Sequence, residues 1–541
     1  MKEVTVEASN GRGGGGPAAE HGKRVGASGS SRGSSGVLRS RDDYGGYQVM
    51  QDKPSKFEVI GSYLYELCSY FIQALLIPVV FPLIISQLQH LSPDQDYVLR
   101  DWRLYHPQLA CSDKEIVQYS KLTERTISVG VSHFSSLEWT SIAWASGLAL
   151  AAPILGYLSY HLDGNLHPII AAAATGIGAI FCLPAGFFKT TKIFIPYIAG
   201  IVAASTIAGA AHTHHLGLMV QAFTGPFLTK PQYSIRQSVS HRLSMYSAAV
   251  GSVGTAVFSA FTYHMLRGPS DQGFISLWVV SIFSGLFWLV GVLHVYTSSN
   301  RASSSVSPPS KFHPFSIFRY PHAIGGLAGV FFSSFTTMCI FIGGGIFIVG
   351  DRCIKPVHLL FLWLAYFLFP LLFLPLLQLL QHLVKIDAVR MQILGFLLSI
   401  FSSGFGFFFD RNSWKWGYLL IFVAIQGTSA GVLHASGRTL VMECAPAGKE
   451  GAFAIWFSWM RSAGLCAGFT VGSVVPGRIR TPFGSAFCVA LVGTLVLLFG
   501  NVSDVGGAAS AGHVVAEESE KYSHATAASA LDLKERESSR V

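Results

Sequence analysis

Twelve apolar runs follow one another between residues 63 and 500, each long enough to cross ~30 Å of hydrocarbon as a helix. They cover 63–89, 137–160, 166–188, 193–222, 240–266, 273–297, 321–349, 357–384, 391–409, 416–442, 451–474 and 482–500. In lipid every backbone polar group must be satisfied within the segment, so such runs fold as helices and the expected class is an all-α membrane protein. Composition agrees. Only 12% of the 541 residues are charged, about half the share of a soluble domain, which leaves too little polar surface for water to surround the chain.

The even number of runs puts both ends of the chain on one side. Residues 1–56 are rich in Gly, Ser and Arg and read as a disordered cytosolic tail; residues 501–541 read as a second. A long external loop, 90–136, follows the first run, and a Ser/Pro-rich cytosolic linker, 298–320, follows the sixth. The linker divides the runs into two six-helix halves, 57–297 and 321–500, a major facilitator-like layout of twelve transmembrane helices. Orientation rests on Lys53 and Lys56 beside the first run and on the basic tails. Without the tails, fourteen Lys/Arg fall outside against nine inside, counting Arg242 at the cytosolic end of the fifth run. In this orientation the sequon Asn501-Val-Ser503 lies in the cytosol and is silent. Of eight cysteines, only Cys111 and Cys353 fall on the non-cytosolic side, where a single bridge between them is compatible with the compartment.

Polar groups inside spans need a partner or a role. In SYLYELCSYFIQALLIPVVFP, Glu66, Tyr70 and Gln73 recur at spacings of four and seven and share one helical face. That face looks into a cavity, or Glu66 caps or snorkels at the helix end. Arg461 lies ten residues into its run, about 15 Å deep at 1.5 Å per residue. It reads as an anion anchor in a transport cavity, with Trp456 and Trp459 shaping an aromatic pocket beside it; the other reading is a buried pair with an acid such as Glu66. Arg438 and Glu443, five apart in GVLHASGRTLVMEC, face different ways and each pairs across helices, as a gate or as a static clamp. His212, His214 and His215 form an HTHH cluster at the cytosolic end of the fourth run. They serve as interfacial polar groups, in proton transfer, or, with no acid or thiol in sequence nearby, least of all as metal ligands; His434 is equally open. No metal or other cofactor is expected. Pro78, Pro82, Pro370, Pro375 and Gly343-Gly344-Gly345 supply bends and close approaches.

Enzyme signatures are missing from the chain: it carries no P-loop, HExxH or GxSxG, and no nucleic-acid motif. Tyr47-Gln-Val-Met50 fits a tyrosine-based sorting pattern for endosomal or vacuolar delivery.

Three stretches resemble one family. The first run resembles the opening span of vacuolar autophagy-related permeases and their bacterial relatives in the major facilitator superfamily, with Glu66 at the acidic position and Cys68 in place of the usual Ala. APILGYLSYHLDGNLHP, 152–168, is similar to the turn between the second and third spans: Gly156 matches, Tyr160 stands where Asp is expected, and the following arginines are absent. GVLHASGRTLVMECAPAGKEGAFAIWFSWMRSAG, 431–464, resembles the series across the tenth and eleventh spans, with Arg438 on its first Arg, Gly448-Lys449-Glu450 on its basic-acidic turn and Arg461 on its intramembrane Lys. The resemblance implies a twelve-helix transporter and, by the vacuolar members, amino-acid export to the cytosol from a vacuole or other endomembrane.

Residues and resemblance together predict a secondary transporter of small polar or anionic solutes, amino acids first, working by alternating access. Arg461 holds a carboxylate, Tyr70 and Gln73 bond the remainder, Trp456 and Trp459 line the pocket, and Glu66, Arg438, Glu443, His212 and His215 couple charge, protons included, or gate the mouths. The alternative is a transporter-shaped receptor or scaffold without flux, motivated by the altered turn at Tyr160 and by two tails able to recruit cytosolic proteins.

Overall fold

A computed structural model describes residues 53–89, 102, 111, 113–164, 166–225, 228–266, 273–298, 314–351, 356–409, 414–446, 448–476, 478–500 and 502–515. Eleven helices among them are long and apolar enough to cross a membrane, and the chain is a multi-pass integral membrane protein. In chain order they are α1 (Lys56–Leu88), α3 (Ser136–Leu162), α4 (His167–Phe187), α5 (Thr191–Thr224), α6 (Tyr233–Leu266), α7 (Leu277–Thr297), α8 (Pro321–Gly350), α9 (Val357–Val384), α10 (Ala388–Phe408), α11 (Trp416–Glu443) and α13 (Arg480–Phe499). Helix α12 (Glu450–Val474) is equally long at 25 residues but more polar. Short helices α2 (Asp113–Thr123) and α14 (Asp504–Ser510) lie at opposite faces. Residues 53, 164, 314 and 515 mark one face, here the tail face; α2 and the hairpin of β1 (Ile127–Val129) with β2 (Ser132–Phe134) mark the loop face.

Helix contacts repeat with an offset of six spans. The pairs α1·α6, α3·α5 and α4·α7 recur as α8·α12, α9·α11 and α10·α13, and the two sets meet along α6·α9 and α3·α12. This is a pseudo-symmetric two-lobe arrangement. Missing side chains permit the tightest crossings. A Cβ on Gly254 of α6 would lie 2.0 Å from the Leu67 carbonyl oxygen of α1, and one on Gly468 of α12 would lie 2.3 Å from the Phe335 carbonyl oxygen of α8. Lipid offers little hydrophobic drive between helices, so contacts of this closeness hold the lobes together by dispersion.

Helix α1 carries a π-helical turn, Ile72–Val80, that includes Gln73 and Pro78. Proline has no N–H to return to the preceding turn, and the wide turn absorbs the mismatch. On the loop face, Gln118 of α2 donates to the Ser86 hydroxyl of α1, while Gln89, just past α1, donates to Ser136 of α3, each at 2.8 Å. Cys111 is disulfide-bonded; Cys353, its expected partner, lies outside the described residues. So do the Tyr47–Met50 pattern and Asn501.

The second tail differs from expectation in its first part. Residues 502–515 fold back as α14 and β4 (Val514–Val515), which pairs in parallel with β3 (Leu228–Thr229). Asp504 accepts hydrogen bonds from the backbone N–H groups of Ala388 and Val389 and from Gln237. Its carboxylate thereby satisfies donors left open at the first turn of α10.

Candidate functional site

The interior between the lobes is polar over a short stretch only. Toward the loop face it is apolar: Phe71, Ile72 and Leu75 of α1 pack in one cluster with Ile342 of α8 and Phe469 of α12. Below that cluster lies a cavity of about 40 Å³, lined by Glu66, Tyr70, Gln73, His212, Arg438 and Arg461 among others. At roughly 10–15 Å³ per water it holds about three waters, far short of the ~300 Å³ of an ordinary ligand pocket. Apolar packing borders it toward the loop face, and the Glu66–Arg438 pair borders it toward the tail face.

Arg461 sits eleven residues into α12, about 16 Å from its start. One Nη donates to the Gln73 side-chain oxygen at 2.9 Å, and the guanidinium carbon lies 5.4 Å from the centre of the Tyr70 ring. Gln73 in turn donates to Ser205 at 3.2 Å and to Ser462 at 3.5 Å. Among the described residues Arg461 makes no ion pair, and it stays partly exposed to the cavity. The expected alternative, a pair with Glu66, is not what the fold makes. Glu66 binds Arg438 of α11 instead, and Arg438 also donates to the Ser244 hydroxyl at 3.0 Å and to the Ser244 carbonyl at 3.1 Å on α6. Glu443 pairs with Arg236 of α6 at 2.8 Å.

Two of the expected pocket residues need correction. Neither Trp456 nor Trp459 lines the cavity. The Trp456 indole donates to the Pro314 carbonyl at 2.9 Å beside Phe318, and that of Trp459 donates to Leu148 at 3.4 Å. At 100° per residue, positions five and two before Arg461 point away from it, whereas Phe457 and Ser458 share its face and do line the cavity. The aromatic wall comes from Tyr65, Tyr70 and Phe457 together with Trp288 of α7. Trp288 could not be found from sequence, because an indole in an apolar run reads as lipid-facing.

The tail-side mouth is closed by further polar bonds between the lobes. Ser458 donates to the Thr206 carbonyl at 2.7 Å, and Gln221 of α5 donates to Glu450 of α12. Asp163, just past α3, accepts from the Gly451 N–H at 2.6 Å and so caps the start of α12. Burial, together with the Glu450 charge, holds the Asp163 carboxyl well above the usual carboxylate range. An acid thus meets α12 although Tyr160 occupies the position where the family pattern puts one; it comes three residues later in the chain.

His212 Nε2 lies 3.4 Å from the Glu66 carboxylate, and Tyr65 stacks on its ring at 4.3 Å. His434 leans on Tyr70 at 5.5 Å. His215 is not in the cavity; its Nε2 lies 3.5 Å from Glu58. Several residues of this site were illegible from pattern. Arg236 precedes the expected start of its span, Ser244 and Ser462 are ordinary small residues, and Asp163 reads as a loop acid.

No family model matches the chain, and no curated protein does. Solved structures do. A proton:xylose symporter of the major facilitator superfamily, XylE, superposes with a TM-score of 0.53 at 13% identity, over 82% of this chain and 94% of that one. The fold is that of the major facilitator superfamily. A bacterial homologue of the iron transporter ferroportin, in an outward-facing state, gives 0.50 at 11% identity over 82% and 98%. The human organic anion transporter MFSD10 gives 0.46 at 13% identity over 82% and 100%. At these identities the likeness is one of facilitator architecture and carries no substrate.

Proposed function

We propose that this protein is a secondary transporter, not an enzyme, that moves small polar or anionic solutes, amino acids first, by alternating access between two six-helix halves, 57–297 and 321–500, with α12 counted as a span. One observation carries the proposal: Arg461, a group that stays charged at any physiological pH, faces a polar cavity at mid-membrane depth with no acid paired to it among the described residues. A buried cation with an open coordination fork is a site for an anion, and a carboxylate fits it bidentately. Gln73 and Tyr70 stand beside it to receive the rest of the solute. Glu66–Arg438 and Glu443–Arg236 join α1 and α6 to α11, so the tail-side mouth opens only when these bonds yield. The tails are then cytosolic, and residence in a vacuole or other endomembrane follows the family resemblance.

The test is flux. Purified full-length protein in proteoliposomes is offered a panel of radiolabelled amino acids and small organic acids. At least one is expected to accumulate, and Arg461→Ala is expected to abolish its uptake while the variant still inserts and elutes as a folded species. Uptake at the original rate in that variant refutes the site. Absence of flux across the panel, with a cellular phenotype lost on tail deletion, favours the scaffold.

A further inference from the structure

Five buried histidines run through the N-terminal half from the central cavity to the tail face. The strip starts at Glu66, whose carboxylate lies 3.4 Å from His212 of α5. His212 neighbours His294 of α7 with ring centres 5.5 Å apart, and His294 neighbours His215 at 4.6 Å. His215 neighbours His167 of α4 at 5.9 Å, and His167 neighbours His214 at 5.3 Å. His214 Nε2 then lies 3.7 Å from the Asp163 carboxylate, whose side chain is 11% exposed at the tail face. Each of the five histidines is no more than 3% exposed.

Four ring nitrogens along the strip, Nδ1 of His212, His214 and His294 and Nε2 of His167, have no hydrogen-bond partner among the described residues. Buried polar atoms are costly to leave unsatisfied, so protons or water complete them. A neutral imidazole accepts a proton at one nitrogen and releases one from the other, which makes a row of rings a carrier where a row of hydroxyls or amides is not. Other charged groups face the strip at three levels: Arg438 and His434 at the cavity, Glu58 beside His215, and Glu450 and Lys449 near Asp163.

We propose that His212, His294, His215, His167 and His214 form a proton path between Glu66 in the central cavity and Asp163 at the tail face. Deepening the transporter reading, this names the proton as the coupling ion. In one passage Glu66 gives its proton to His212, each ring takes one proton and passes one on to the next ring through a bridging water, and Asp163 takes one from His214 and delivers one to the solvent; a tautomer flip resets each ring. The path lies inside one lobe, so it survives lobe movement. Each end, however, touches a bond between the lobes: protonating Glu66 weakens its pair with Arg438, and Asp163 caps α12. Proton occupancy is thereby tied to the closure of the tail-side mouth.

Proteoliposomes of the full chain on a solid-supported membrane test this without a known solute. A pH jump from 8 to 6 is expected to give a capacitive proton current in the wild type. Glu66→Gln is expected to abolish it in protein that still elutes as a folded species, and His294→Gln and His167→Gln, each with the Tm of wild type, to slow it at least tenfold; two histidine variants at different steps guard against a local packing defect. Absence of the wild-type current overturns the proposal. A current surviving Glu66→Gln overturns the proton role of that acid and with it the path. A current lost in Glu66→Gln but unslowed in both histidine variants overturns the path alone and leaves the transporter reading standing.

Discussion

Replacing Arg438 by alanine strands the Glu66 carboxylate, 6% exposed, with His212 as its remaining polar neighbour; replacing Glu66 by glutamine strands the guanidinium. Breaking a buried pair from either side costs about 3–5 kcal/mol, because the surviving charge keeps its desolvation penalty without the attraction that offset it. Removing both charges, as in Glu66→Gln with Arg438→Met, removes both penalties. The double variant is therefore expected to lose no more than either single one, whereas additivity would predict about 6–10 kcal/mol. Thermal unfolding in detergent reads this as Tm. At roughly 2–4 °C per kcal/mol for mid-sized domains, and less for a chain this long, each single change lowers Tm by about 5–10 °C and the double by a similar amount or less. The pair also crosses the lobes, so each single variant should expose the tail side. Cys444, fully buried there, should react faster with maleimide in a Cys488→Ser background, since Cys488 is the exposed free thiol among the described residues. Additive Tm losses, or single variants within 1 °C of wild type, refute the argument that this pair holds the mouth shut.

Two other outcomes follow from the packing. Burial lifts the Asp504 carboxyl to about 7 from its ordinary 3.8, so its contribution to the docked tail segment is complete at low pH and is lost as pH rises through 7. Cys444, which a Cβ on Gly507 of α14 would meet at 2.5 Å, should accordingly gain accessibility between pH 6 and pH 8, read as its maleimide rate divided by that of the denatured protein at the same pH so that the thiol's own ionisation cancels; Asp504→Asn should flatten this ratio, and a ratio that still rises in the variant refutes it. Gly254→Val places a branched side chain where even a Cβ lies 2.0 Å from the Leu67 carbonyl oxygen, and should cost at least 1–3 kcal/mol and much of the folded yield, measured by gel filtration against Gly156→Val, where a Cβ meets nothing within 4 Å.

The spans were legible because hydrocarbon imposes a length and an apolarity that show in the chain residue by residue. The alignment of Glu66, Tyr70 and Gln73 on one face of α1 was legible for the same kind of reason: helical period is a local property, and all three line the cavity. Trp456 and Trp459 were misplaced because closeness in sequence to Arg461 stood in for a shared face, which the same period denies them. The return of residues 502–515 onto α10 was hidden because their composition is that of a solvated tail, while the donors that hold Asp504 belong to residues 237, 388 and 389.

By itself the amino-acid sequence determined that this chain crosses a membrane many times, with a cation deep in one span and an acid near the end of another. Which charge meets which was decided only by tertiary structure. Arg438, 372 positions away, takes Glu66 and leaves Arg461 open to the cavity, and five histidines from three helices fall into one strip. The reason is physical: apolarity and helical period act along the chain, whereas pairing energy depends on distances set by how helices cross.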